Sequence, residues 1–165
     1  MILYLVRHGI AIDRTDPNCP PEVERFLTRE GIKKTREVAE GVRALGVRPT
    51  QFISSPYVRA MQTAQIFAEV FEFSREKIRE SAELRPGSGP EEFLKELSRI
   101  KAREVMAFGH APHMDQVITQ LVGAHGIFTA LKKAGVAALE FDSPAAGKAT
   151  LAWLLPPKVL RRIEE

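Results

Sequence analysis

Three short apolar runs each stop at a polar corner, and each is followed by a segment of helical periodicity. They are Ile2-Leu3-Tyr4-Leu5-Val6, Gln51-Phe52-Ile53-Ser54 and Val105-Met106-Ala107-Phe108. This alternation constrains the fold more than any other feature of the chain. Runs this short, rich in β-formers and bounded by glycine, proline or charge, read as buried strands. Strands joined through helices pair in parallel, because each helix carries the chain back across a face of the sheet. Thr28 is placed to cap a helix over 29–45 that Gly46 closes, with Ile32, Val38, Ala39 and Val42 as its core stripe. A second helix is expected over 57–71, with Ser55 as its cap, Pro56 in its first turn and Ala60, Ala64, Phe67 and Ala68 on one side. A short third strand is expected to include Ile78. Pro90 opens a helix through Phe93, Leu94 and Leu97. A further helix follows from Pro112 to 121, ended by Gly123 and the Gly126 region. Segments 136–141 and 149–154 read as a closing hairpin. The expected fold is a three-layer α/β/α arrangement, with a mostly parallel central sheet, an antiparallel edge and no large helical insertion.

The chain has 165 residues, and one domain spanning 1–165 is expected at that length. No apolar stretch is long enough to cross a bilayer and no basic-then-apolar leader precedes the first strand, so a cytoplasmic protein without membrane contact is expected. Cys19 is the only cysteine, which excludes an internal disulfide. The net charge is +3, but Lys and Arg are interleaved with Glu as on a solvated helix face, and nucleic-acid binding is not expected.

Chemistry gathers at the strand ends. Arg7-His8-Gly9 follows the first run, Arg59 lies one turn into the helix after the second, and Gly109-His110 follows the third. In an open α/β sheet the carboxyl ends of the strands are where ligands bind. Two guanidiniums and two imidazoles on one edge make an anion site, and the planar fork of arginine suits phosphate. Gly9, lacking a Cβ, leaves room for a ligand or another backbone segment. A metal site is the rival reading, because His110-Ala111-Pro112-His113 has an H-x-x-H spacing and His8 and His125 add imidazoles. Zinc sites draw on Cys or carboxylate at regular helical spacing, and Pro112 interrupts that spacing, so no metal is expected. A second rival is a non-catalytic phosphate-binding module on the same fold.

Leu5-Val6-Arg7-His8-Gly9, Ser54-Ser55-Pro56-x-x-Arg59-Ala60-x-x-Thr63-Ala64 and Gly109-His110 together resemble the histidine phosphatase superfamily. The length resembles its compact SixA-like phosphohistidine phosphatase branch. So do Arg25-Phe26-Leu27-Thr28-x-x-Gly31, Glu83-Leu84-x-Pro86, Leu131-Lys132-Lys133-Ala134-Gly135 and Trp153-Leu154-Leu155-x-Pro157. The chain departs from the branch at Phe26 and Ala111, which flank the site and bear on substrate preference.

The resemblance implies a metal-independent phosphatase that needs no cofactor, with His8 as the nucleophile. A neutral imidazole nitrogen attacks phosphorus in line and becomes a phosphohistidine, which water then hydrolyses. Arg7, Arg59 and His110 would hold the phosphoryl oxygens. His110 would serve best as a cation, a state that the arginines oppose and bound phosphate favours. Arg25 is a further phosphate ligand by the same resemblance, or else a surface residue at a helix entry. Glu83 stands where larger relatives carry the general acid, with Glu22 and Glu24 in the first loop as competitors. A phosphorylated imidazole can instead be protonated from solvent on its other nitrogen. The expected partner is a phosphorylated protein, such as a phosphohistidine carrier domain, or a small phosphorylated substrate.

Overall fold

The computed structural model describes residues 1–164. Six strands and five helices alternate along the chain: β1 Ile2–Arg7, α1 Arg29–Ala44, β2 Gln51–Ser54, α2 Val58–Val70, β3 Arg79–Glu80, α3 Pro90–Ser98, β4 Glu104–Gly109, α4 His113–Val122, β5 Val136–Glu140, β6 Thr150–Leu155 and α5 Pro157–Leu160. Single 3₁₀ turns occur at Glu22–Glu24, Arg75–Lys77 and Ala82–Leu84. One sheet runs β3-β2-β4-β1-β5-β6. The pairs β2–β3, β2–β4 and β1–β4 are parallel, and β1–β5 and β5–β6 are antiparallel. The expected mostly parallel sheet with an antiparallel edge is the fold observed.

Successive strand residues face opposite layers. Leu3 and Leu5 join Phe93, Leu94 and Leu97 of α3 and Met114, Val117, Ile118 and Leu121 of α4. Tyr4 and Val6 join Val38, Ala39 and Val42 of α1, Ala64, Phe67 and Ala68 of α2, and Leu160 of α5. Both faces of the sheet are thereby covered, the condition under which a parallel sheet is stable. Among the described residues, no helix is long and apolar enough to cross a membrane.

Local signals act largely as read. Thr28 Oγ accepts the Gly31 amide at 2.9 Å to cap α1, and Pro90 opens α3. Gly123 ends α4 with a φ of 75°, a left-handed conformation that costs glycine nothing. Four details differ. Ile32 is 39% exposed, because it lies at the start of α1 in a cleft with Gln62 and Ile66 rather than under a neighbouring helix. The second helix begins at Val58, so Pro56 lies ahead of it in the corner, where the Ser55 hydroxyl accepts the Tyr57 amide at 3.3 Å. The third strand is Arg79–Glu80, one residue beyond Ile78. The fourth helix begins at His113, with Pro112 as the residue before it.

Register positions the site. Arg7 lies opposite Gly109 and Ser54 opposite Phe108, so β1, β2 and β4 end level at one edge of the sheet.

Candidate active site

His8 follows the last residue of β1 and is 6% exposed. Its backbone amide donates to Gly109 O at 3.0 Å, and the Ala134 amide donates to the carbonyls of both Arg7 and His8 at 3.0 Å. His8 Nδ1 lies 2.7 Å from Gly9 O. A carbonyl only accepts, so this contact places the proton on Nδ1 and leaves the Nε2 lone pair unprotonated. Burial, with Arg59 and Arg7 adding, pushes the imidazole down to about 3. The ring is neutral, with its Nε2 lone pair free of a proton. Arg59 Nε donates to that nitrogen at 3.4 Å. Gly9 leaves room for protein rather than for a ligand: a Cβ there would lie 2.3 Å from Thr35 Oγ of α1. Its amide donates to Thr63 Oγ of α2 at 3.0 Å, which ties the end of β1 to the helix that carries Arg59.

Arg7 donates from Nη1 to Leu131 O at 2.9 Å. Its Nε is buried without a hydrogen-bond partner. His110 follows β4, with Nε2 2.9 Å from Ser55 Oγ and Nδ1 buried without a partner. The His8 and His110 rings lie 5.3 Å apart, and Tyr57 stands edge-on to His110 at 5.3 Å. The Arg59 guanidinium sits 5.2 Å from the centre of the Tyr57 ring, a cation–π contact. Burial, then His8 and Arg59, push His110 down to about 2. The free site therefore holds His110 neutral; the cation expected from the sequence is the state that bound phosphate would favour.

Arg25 is buried. Its Nε and Nη2 both donate to Ile12 O, at 3.1 and 2.9 Å, which pins the first loop. Its Nη1 reaches Glu22 Oε1 at 3.1 Å. That same oxygen is ion-paired with Arg59 Nη2 at 3.0 Å, while Arg59 Nη1 donates to Glu22 O at 2.9 Å. Arg14 grips the Glu22 carboxylate from outside, through Nε at 2.9 Å and Nη2 at 2.8 Å. Arg14 first, then Arg25 and Arg59, hold this carboxyl down at about 2. Glu22 thus draws Arg14, Arg25 and Arg59 together beside His8.

Residues 3–89 match the histidine phosphatase superfamily, branch 1. The chain belongs to this superfamily. It is 33% identical over 143 residues to an uncharacterised protein of Picosynechococcus sp., covering 84% of each chain. It is 30% identical over 138 residues to the mitochondrial serine/threonine-protein phosphatase Pgam5 of Drosophila yakuba, covering 75% of this chain and 46% of that protein. It therefore spans just under half of that relative's length. The structure of the protein histidine phosphatase SixA complexed with tungstate superposes with a TM-score of 0.83, at 21% identity, over 97% of this chain and 99% of that one.

Among the described residues, the other candidates in this superfamily member share no hydrogen bond with the cluster. Glu83 sits on the Ala82–Leu84 turn, its amide donating to Ser81 Oγ at 3.2 Å. It lines a cleft of 270 Å³ with Arg79, Glu96 and Arg99. It also acts electrostatically on His113, whose Nε2 lies 3.3 Å from Gly89 O. The carboxylate within hydrogen-bond reach of the site arginines is Glu22. Glu24 lies exposed on the same turn. His113 packs against Phe93, and His125 is exposed on the loop after α4. Among the described residues, no three of His, Cys, Asp or Glu are placed to share a metal ion. Cys19 is half-buried, with its thiol 3.4 Å from Pro20 O.

The residue that sequence reading missed is Asp115. It is buried on α4, where Oδ1 accepts from Thr129 Oγ at 2.6 Å and the Leu131 amide at 3.1 Å. Leu131 O is the acceptor for Arg7, so Asp115 anchors the segment that holds that guanidinium. Its one signal in the sequence is an acid beside Met114 on the apolar face of a helix.

Proposed function

We propose that this chain is a phosphatase that removes the phosphoryl group from protein phosphohistidine through a covalent intermediate on His8. The observation that carries the reading is His8 itself: a neutral ring with Nδ1 held by Gly9 O and an unprotonated Nε2 in contact with Arg59. Nε2 attacks phosphorus in line. The new N–P bond forms as the bond to the leaving group breaks and the leaving group keeps that electron pair. Water then attacks the phosphohistidine, releasing phosphate and the free ring. Phosphoryl transfer is mostly positioning and charge neutralisation, which Arg7, Arg59, Arg25 and a ring N–H of His110 supply to the phosphoryl oxygens.

Three features favour a phosphohistidine on a protein. The fold is that of SixA over nearly the whole chain, without a large helical insertion. Val23 and Phe26, beside the Glu22 turn, and Ile127 and Phe128, just before Leu131, expose 41–55% of their surface on segments bound to Arg59 and Arg7. Exposed apolar side chains flanking a site suit a protein surface. The carboxylate nearest the arginines is ionised, so it has no proton to give an alkoxide, whereas a departing imidazole takes one from solvent on its other nitrogen.

The test is a rapid quench with labelled phosphohistidine protein on wild type and His8→Ala. Label should be trapped on wild type alone, and the variant should lose turnover by about 10⁴-fold or more. A variant with near-normal turnover refutes the mechanism. A panel adding phosphoserine peptide, an aryl phosphate and small phosphorylated metabolites tests the substrate. Faster turnover of any of these than of phosphohistidine protein refutes that part.

A further inference from the structure

We propose that Glu22 is a specificity-determining residue: it is the internal counter-anion of the arginine cluster, and a phosphoryl group enters by displacing its carboxylate from Arg59 and Arg25. The inference rests on reading the cluster as the phosphoryl site.

In the free molecule each of Arg59's three guanidinium nitrogens already has a partner. Nε meets His8 Nε2, Nη1 meets Glu22 O and Nη2 meets Glu22 Oε1. Arg25 has Nε and Nη2 on Ile12 O, and its third nitrogen, Nη1, is also on Glu22. A phosphoryl group next to His8 therefore competes with the Glu22 side chain for Arg59 Nη2 and Arg25 Nη1. The side chain can do so. It is 42% exposed, and Arg14 holds both of its oxygens from the solvent side, so it keeps a cationic partner when the inner contacts break. The Glu22 backbone carbonyl is a separate acceptor for Arg59 Nη1, so the turn can stay in place while the side chain moves.

This arrangement selects by charge and oxygen count. A phosphoryl group brings close to two negative charges and three strong acceptor oxygens. It offers the released arginines more than the carboxylate did. A simple carboxylate exchanges one anion for its equal and gains nothing. Glu22 therefore sets a threshold that dianionic phosphoryl groups pass and carboxylates do not, and it keeps the guanidiniums of Arg14, Arg25 and Arg59 from repelling one another when the site is empty.

The test is calorimetric titration of the purified protein with inorganic phosphate, and separately with acetate, at fixed pH and ionic strength. Wild type is compared with Glu22→Gln, Glu22→Ala and Glu24→Gln, with folding checked by thermal melting. Glu24→Gln removes the same charge two residues along the same exposed turn. Removing the Glu22 carboxylate should tighten phosphate by about tenfold, the scale of two partly exposed ion pairs no longer broken on binding, and should raise acetate affinity too. Glu24→Gln should stay within about twofold of wild type. Phosphate binding by wild type that is unchanged or weakened in both Glu22 variants overturns the inference alone. Equal tightening by Glu24→Gln overturns it as well, since general charge then accounts for the effect. If neither wild type nor the Glu22 variants bind phosphate, the phosphoryl-site reading fails and takes the inference with it.

Discussion

Replacing Asp115 by alanine tests how Arg7 is held. The carboxylate is 4% exposed and receives two hydrogen bonds, from the Thr129 hydroxyl at 2.6 Å and the Leu131 amide at 3.1 Å. Alanine leaves the Leu131 amide unpaired in a buried position, at a cost of about 1–3 kcal/mol, and removes a second bond to a charged group worth about 1.5–3 kcal/mol. Local relaxation and water entry recover part of this, so the expected loss is about 3 kcal/mol. For a domain of this size that is a fall in Tm of about 6–12 °C. The effect on activity runs through geometry. Leu131 O accepts Arg7 Nη1 at 2.9 Å, so a loosened 129–131 segment frees the guanidinium from its set direction. A misdirected clamp should lower kcat/KM about tenfold toward an aryl phosphate. Asp115→Asn is the control, because its side-chain oxygen can still accept both bonds. It should lie within about 1 kcal/mol of wild type and lose less activity. Urea unfolding and steady-state kinetics measure the two quantities. If Asp115→Ala is destabilised as expected but keeps full kcat/KM, Leu131 does not position Arg7. Unchanged stability would refute the hydrogen-bond reasoning itself.

Stability should fall as the solution is acidified. His8 and His110 are held near 3 and 2 in the fold against an ordinary value of 6.5, so the unfolded chain binds their protons first and the neutral rings contribute fully only above about pH 6.5. Each costs about 1.4 kcal/mol per pH unit below that point, and His110→Asn should flatten the slope of Tm between pH 6.5 and 5; a flat wild-type profile would contradict the burial argument. Arg59→Ala should lower turnover by about 10²–10³-fold, and Arg59→Lys should restore only part, because lysine brings charge without the fork. Full activity of Arg59→Ala would remove the second strand corner from the site. Glu83→Gln separates the competing acids: a general acid is worth about 10²–10⁴-fold and matters most for alkyl phosphates, yet the position of Glu83 beside Arg79 and Arg99 predicts a small, uniform effect. A large loss confined to poor leaving groups would return Glu83 to the proton-donor role.

Much of the fold was legible because its signals are local. Thr28, Gly46, Pro90 and Gly123 mark helix ends through the conformations their own side chains allow, and the β1, β2 and β4 runs are short and apolar. Ile32 was misread because periodicity shows which residues share a helix face, not how far a neighbouring helix extends along it. The carboxylates were harder. Glu83 led Glu22 and Glu24 as the candidate acid only by resemblance to larger relatives, and no spacing rule ranks the three. Which of them meets the arginines depends on Arg25, which clamps Ile12 O, thirteen positions away, and so fixes the loop that carries Glu22.

Side-chain type and strand-end position are properties of the sequence by itself: it placed Arg7, His8, Arg59 and His110 at the ends of three strands, and those strands in a mostly parallel sheet. Only tertiary structure decided protonation and partnership. It buried His8 and His110 deeply enough to strip their charge, set Gly9 O against Nδ1, closed Arg59 over Glu22 and put Asp115 behind Arg7. The reason is physical. A pattern of residue types records which groups are present, whereas desolvation and hydrogen-bond geometry depend on contacts between residues 37, 51 and 124 positions apart.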